Sequence, residues 1–160
     1  MSGLSTAEIN DFFGTRHKSP MGYVLDAGPG FAIMELEIQE GFLRMGGTVS
    51  GPTQMRIADV CMYAAILATL GPVEDAVTTN LNMNFYRRPK TDRMRAECRI
   101  LKAGSRLVVG DVLLFNRNED DSVAHAGVTF SLPPGRKDKI AAERGSPPER
   151  LQAALNTIEN

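Results

Sequence analysis

With 160 residues, 42% hydrophobic and 23% charged, the chain suits one globular domain able to bury a core without disulfides or metals. A formal net charge of -1 argues against general nucleic-acid or membrane-surface binding, although local basic clusters stay open. The 2 cysteines, Cys61 in an apolar run and Cys98 in an alternating one, read as buried, reduced thiols. The opening MSGLSTAEIN lacks the apolar stretch of a secretory signal, so the expectation is a cytoplasmic protein with no membrane or nucleic-acid partner.

In chain order, Ser5 to Phe13 predicts a short helix. Ser5 and Glu8 have capping-box spacing, and Leu4, Ile9, Phe12 and Phe13 supply an apolar side. His17 falls in a polar connector that Ser19-Pro20 breaks. Residues 22–26 suggest a short strand, and Gly28-Pro29-Gly30 a turn. Residues 31–38 alternate, with Ala32, Met34, Leu36 and Ile38 facing one way and Glu35 and Glu37 the other, as in a half-buried strand.

A loop over 39–49 then delivers the chain to its organising stretch, GGTVSGPTQMRIADVCMYAAILATL, residues 46–70. Pro52 suits the first helical position, and Gly71-Pro72 supplies a glycine cap followed by a residue that cannot continue the helix. The helix is therefore about 19 residues long, or roughly 28 Å. It is apolar nearly all round, which places it inside a fold.

Four strands with turns between them follow. Leu81, Met83 and Phe85 alternate with Asn80, Asn82 and Asn84. Met94, Ala96, Cys98 and Ile100 alternate with Arg95, Glu97 and Arg99. Residues 106–115 are apolar on both faces and predict a central strand. Residues 122–131 carry Ala124, Ala126, Val128 and Phe130 on one side, with His125 on the other. Beyond Pro133-Pro134-Gly135 the tail is charged, and a second capping box at Ser146 precedes a helical stripe of Leu151, Ala154, Leu155 and Ile158. One long helix followed by an antiparallel meander gives an α+β class, with the sheet curled around the helix. The expected domain is single, residues 1–160, with its core at about 22–133.

Asp59 interrupts the apolar helix, and a buried carboxylate is costly unless paired or working. It either pairs with Arg56 at i,i+3 or serves as a base or nucleophile tuned by an apolar pocket. Gly51, at the helix N-terminus, either belongs to a cap or presents its N–H to an oxyanion. Eight residues of helix separate the two by roughly 12 Å, so no single carbonyl touches both within one protomer. If both act on one substrate, each site takes Gly51 from one chain and Asp59 from another, and the hypothesis carries a dimer with it.

Gly47, Gly51 and Asp59 at this spacing, followed by VTTNLNMNFYRRP, LKAGSRLVVGDVLLF and VAHAGVTFSLP in that order, resemble the PaaI-like acyl-CoA thioesterases of the hotdog fold. The resemblance runs from about Arg44 to Pro133. It implies a helix wrapped by a sheet, a homodimer with one continuous sheet, and a further doubling to a homotetramer. It also implies an active site at the dimer interface, no cofactor, and hydrolysis of acyl-CoA to free acid and coenzyme A. In it, the Gly51 N–H polarises the thioester carbonyl, and Asp59 of the opposite subunit attacks the carbonyl or activates water. A hydroxyl from the following strand, Thr78 or, allowing one residue of length difference, Thr79, positions that water. The chain departs from the family pattern in three places: Ser50 replaces the loop His, Pro52 the second Gly, and Arg44 the loop Asn. Pro52 leaves the Gly51 N–H in place, Ser50 offers a hydrogen bond but no imidazole, and Arg44 suits either Asp59 or a substrate phosphate.

Arg87 and Arg88 at a strand end, and Lys102 and Arg106 flanking a hairpin, suit coenzyme A phosphates or a solvated surface. Neither His17 nor His125 has a partner spaced for a metal site, and no glycine-rich phosphate loop is present. Met55, Met62 and Tyr63 suggest an apolar, adaptable pocket lining. A non-catalytic acyl-CoA binding protein on the same fold is the alternative function. A hydratase is weaker, for want of a well-placed histidine.

Overall fold

A computed structural model describes residues 2–16 and 22–134. His17 and the tail stripe from Leu151 to Ile158 lie outside the described residues.

Helix α1 (Thr6–Arg16) runs past Phe13, the end expected from its pattern. Its capping box forms: Ser5 N–H and Oγ–H donate to Glu8 Oε2 at 2.8 and 2.7 Å. Leu4 N–H donates to Leu67 O at 2.9 Å. Just before it, Gly3 passes so near the main helix that a Cβ there would lie 1.7 Å from Ala68 O. Those two contacts fix α1 beside the C-terminal half of that helix.

Strands β1 (Tyr23–Gly28) and β2 (Phe31–Glu37) form a hairpin. In β2 the alternation holds, with Ala32, Met34 and Leu36 buried. The segment expected to be a loop contains a 3-10 turn (Glu40–Phe42) and a small hairpin of β3 (Leu43–Arg44) and β4 (Thr48–Val49). Strands of two residues are too short to show a period, and so none was visible.

Helix α2 (Gly51–Leu70) starts one residue before Pro52. Ser50 caps it, accepting from Thr53 N, and Gly71, at φ 79, closes it by donating to Leu67 O. Ile57, Ala58, Cys61, Ala64, Ala65 and Leu67 are among its buried residues, which leaves only part of one flank open.

After α2 come β5 (Val77–Phe85), β6 (Arg93–Ala103), β7 (Leu107–Asn116) and β8 (Ser122–Ser131). One six-stranded antiparallel sheet results, ordered β1-β2-β6-β7-β8-β5, with α2 packed on one face. As expected, β7 is interior and buried on both sides: Val108, Val112 and Leu114 belong to the helix-facing core, while Leu113 and Phe115 are buried on the other. Gly110 lets α2 approach closely, since a Cβ there would sit 2.6 Å from Met62 Sδ and 2.8 Å from Arg99 O. Met62 is thus core filling between helix and sheet, not pocket lining as the sequence suggested. This helix wrapped in an antiparallel sheet is the hotdog arrangement. Among the described residues no helix is long and apolar enough to cross a membrane.

Candidate active site

Strand β5 forms an edge of the sheet, pairing only with β8. Its register is regular from Phe85↔Ala124 back to Leu81↔Val128, then slips between Asn80 and Thr78, so that Thr78 pairs with Phe130. Residues directly opposite in an antiparallel pair share a face. Ala124, Ala126, Val128 and Phe130 all face the helix, so Phe85, Met83, Leu81 and Thr78 do too. Strict alternation would have put Thr79 there; the bulge at Thr79 exchanges the two threonines. Thr79 Oγ1 donates instead to Thr129 O at 3.3 Å.

The bulge brings Thr78 to Asp59, and Thr78 Oγ1 donates to Asp59 Oδ1 at 2.6 Å. Burial pushes the Asp59 pKa up from the ordinary carboxylate value, and the hydroxyl pulls part of the way back. Arg56, the other partner considered for Asp59, holds its guanidinium over the Phe42 ring, 5.7 Å from the centroid. Asp59 and Thr78 both line a cavity of about 470 Å³. Tyr63 and Phe130 stack in its wall with centroids 6.0 Å apart, and Phe12 and Tyr63 meet at a steep angle with centroids 6.2 Å apart. Tyr63 OH donates outward to Val73 O at 3.1 Å, which leaves its ring facing the cavity. At the rim Arg16 and Glu74 form an ion pair of 2.7 Å.

Phe12, Arg16, Glu74 and Phe130 were not expected in this site. Arg16 and Glu74 are 58 residues apart in sequence, a separation that no local pattern reports. Tyr63 was expected to line the pocket and does so.

The other end of α2 differs. Ser50 Oγ lies 3.2 Å from Thr53 N and 2.8 Å from Thr53 Oγ1. Gln54 N–H donates to Ser50 O at 3.1 Å, and Pro52 has no N–H. In this first turn Gly51 N–H is left with no hydrogen-bond acceptor among the described residues. Arg44 Nε donates to Thr48 Oγ1 at 2.8 Å across the β3–β4 hairpin, and among the described residues it makes no bond to Asp59. A Cβ on Gly51 would lie 3.5 Å from Phe85 Cζ. The N-terminus of α2 therefore abuts the far end of β5, while Asp59 abuts its beginning.

The basic residues divide in the same way. Arg87, paired with Asp121 at 2.8 Å, and the exposed Arg88 follow the Phe85 end of β5. Exposed Lys102 and Arg106 flank the β6–β7 hairpin at the opposite end, where Leu107 and Val77 both pair with Ser131. Within one chain, then, Gly51, Arg87 and Arg88 are not brought together with Asp59, Thr78, Lys102 and Arg106. His125 lies on the outer face, 3.0 Å from Asp111.

Among known proteins the chain is similar to a candidate thioesterase from Silicibacter sp. TM1040, at 35% identity and TM-score 0.76 over 84% of this chain and 95% of that one. Its fold also matches the zebra fish thioesterase superfamily member 2, at 23% identity and TM-score 0.73 over 82% of this chain and 100% of that one. A candidate esterase of Saccharolobus solfataricus is 30% identical over 91 residues, 57% of this chain; the match spans only 60% of that relative's length. The thioesterase superfamily as a whole matches residues 46–132, from the glycine pair before α2 to the end of β8. On that match, which takes in both ends of α2 and all of β5, the chain belongs to the thioesterase superfamily.

Proposed function

We propose that the protein is an acyl-CoA thioesterase, releasing free acid and coenzyme A. The observation that carries this reading is the Asp59 carboxylate, held at 2.6 Å by Thr78 in the wall of a cavity shared with Val60, Tyr63 and Phe130. A carboxylate whose pKa burial raises is a stronger base than a solvated one, and it accepts a proton from water or attacks a polarised carbonyl itself. The hydroxyl fixes one carboxylate oxygen and leaves the other for the reaction.

The oxyanion donor is the Gly51 N–H of a second protomer. Edge strand β5 has its outer hydrogen-bonding groups unpaired among the described residues and is the natural seam for that partner. In this reading two β5 strands pair antiparallel about a two-fold axis near their middle, which would bring Thr78 at the start of one toward Phe85 at the end of the other, beside the partner's Gly51. The same operation delivers the partner's Arg87 and Arg88 toward Lys102 and Arg106, so basic residues separate within one chain converge on one coenzyme A. The doubling of such dimers to a homotetramer is part of this reading.

One observation favours a second function. In the loop before α2, Ser50 is engaged in the helix cap and Arg44 is tied to Thr48. An acyl-CoA binding protein without turnover needs no polar group from that loop. Thiol release across a panel of acyl-CoAs separates the two. Release that Asp59→Asn abolishes supports the hydrolase, whereas tight binding with no thiol supports the binding protein.

A further inference from the structure

We infer that Phe12 of α1 sets the acyl-length limit of this site and restricts it to compact acyl groups, a short chain or a single ring. The inference rests on the thioesterase reading above. Helix α1 precedes the superfamily match at residues 46–132, yet Phe12 and Arg16 line the cavity that holds Asp59. The same two residues border a second, open space of about 500 Å³ along α1, beside Leu4, Ala7 and Pro72 and the polar Glu8, Asp11 and Thr15. Phe12 is thus a partition with room on both sides. Its ring meets the Tyr63 ring at a steep angle with centroids 6.2 Å apart, and the Arg16 guanidinium lies 5.4 Å from its centroid. Arg16 is held in turn by Glu74 at 2.7 Å, so ring and cation clamp each other at the cavity rim.

An acyl chain whose carbonyl sits at Asp59 grows along Tyr63 and Phe130 and ends against Phe12. Beyond the ring lies the second space, an open groove with Leu4, Ala7 and Pro72 on it but also the exposed Glu8, Asp11 and Thr15. Removing the ring takes away the end wall, so a longer chain runs out along Leu4 and Pro72 instead of stopping inside the cavity.

The test compares wild type, Phe12→Ala and Phe12→Leu on straight-chain acyl-CoAs from acetyl to palmitoyl, read by thiol release, with thermal unfolding of each protein alongside. Wild type is expected to lose activity as the chain lengthens. The ratio of kcat/KM for dodecanoyl over butanoyl should rise roughly tenfold in Phe12→Ala, the scale of discrimination that a few methylenes produce in an apolar pocket, and less in Phe12→Leu. Phe12→Leu keeps an apolar contact with Tyr63 and carries the test if the alanine variant unfolds. Folded variants with the wild-type chain-length profile overturn the role of Phe12 and leave the thioesterase reading standing. No thiol release by wild type at any length overturns that reading instead. Calorimetric affinity against chain length, on the same three proteins, then decides whether Phe12 limits binding.

Discussion

The two ends of the active half of α2 solve opposite problems. At the N-terminus Ser50 and Thr53 cap the first turn, and Arg44 braces the β3–β4 hairpin through the Thr48 hydroxyl. What that end presents is a backbone N–H. Two turns on, the helix presents a side chain, Asp59, with a single hydroxyl to hold it and an apolar cavity that raises its pKa. One end offers backbone N–H groups, the other a half-buried carboxylate. On the proposed mechanism the loop before α2 holds the Gly51 N–H in place, so changes of side chain there are expected to matter less than changes at Asp59.

The largest expected effect comes from removing the base. Asp59→Asn should lower kcat about 10²–10⁴-fold in the thiol-release assay while the fold is kept. It should also raise the thermal midpoint at neutral pH. Burial raises the folded-state pKa of Asp59 above its unfolded value. The folded state is therefore favoured when the carboxyl is protonated, and stability falls as pH rises from the unfolded pKa through the folded one. Asparagine removes that cost. A variant that loses activity and also melts earlier would assign Asp59 a structural role.

At the other end the test is of backbone alone. Gly51→Ala keeps the N–H, and its Cβ would meet Phe85 at an ordinary 3.5 Å; activity should stay within a few-fold. Gly51→Pro removes the N–H at a helix position that tolerates proline and should cost about 10²–10³-fold in kcat, the effect of losing one oxyanion donor. Equal activity in the two variants would remove Gly51 from the chemistry.

Thr78→Val sharpens the pH side of the comparison. On the proposed mechanism activity requires ionised Asp59, so kcat/KM should fall on the acid side through the Asp59 pKa. The Thr78 hydrogen bond lowers that pKa against the pull of burial. Losing it should move the acid limb to higher pH and reduce the plateau about tenfold, as one positioning contact fails. Thr79→Val should leave the acid limb where it is, because Thr79 bonds Thr129 O instead.

These two threonines also mark where the sequence stops being readable. Alternation reported β2, β8 and the double-sided β7 well, because each buries a regular set of side chains. The bulge that exchanges Thr78 and Thr79 leaves no period of its own, so alternation turns Thr79 toward the helix, whereas the resemblance names Thr78 first, the hydroxyl that meets Asp59. Asp59 and Gly51 were legible because a carboxylate in an apolar helix and a glycine before proline are local signals. The wall formed by Phe12, Arg16 and Phe130 was not. It depends on Leu4 and Gly3 docking α1 onto the end of α2, a contact across more than sixty residues of chain. The basic residues were legible as a composition, but their division between the two ends of β5 required the register.

The smallest effect on catalysis is expected at Ser50, one of the three positions where the chain departs from the loop pattern it resembles. Its Oγ accepts from Thr53 N at 3.2 Å and shares a hydrogen bond of 2.8 Å with Thr53 Oγ1, which itself donates to Phe42 O at 3.0 Å. Ser50 thereby ties the first turn of α2 to the 3-10 turn before it, and Ser50→Ala should cost about 1 kcal/mol of unfolding free energy, the usual loss for an N-cap. Its kcat should change less than threefold, because Gly51 N–H keeps its place on a helix that is still anchored through Ser50 N and O. Ser50→Asp, which restores a strong cap but brings a negative charge beside the proposed oxyanion donor, should recover the stability and lose activity. Denaturant unfolding and thiol release on the same two variants check this directly. If Ser50→Ala lost activity as heavily as Gly51→Pro while remaining folded, the hydroxyl would belong to the reaction, and the contrast between a scaffold end and a chemical end would fail.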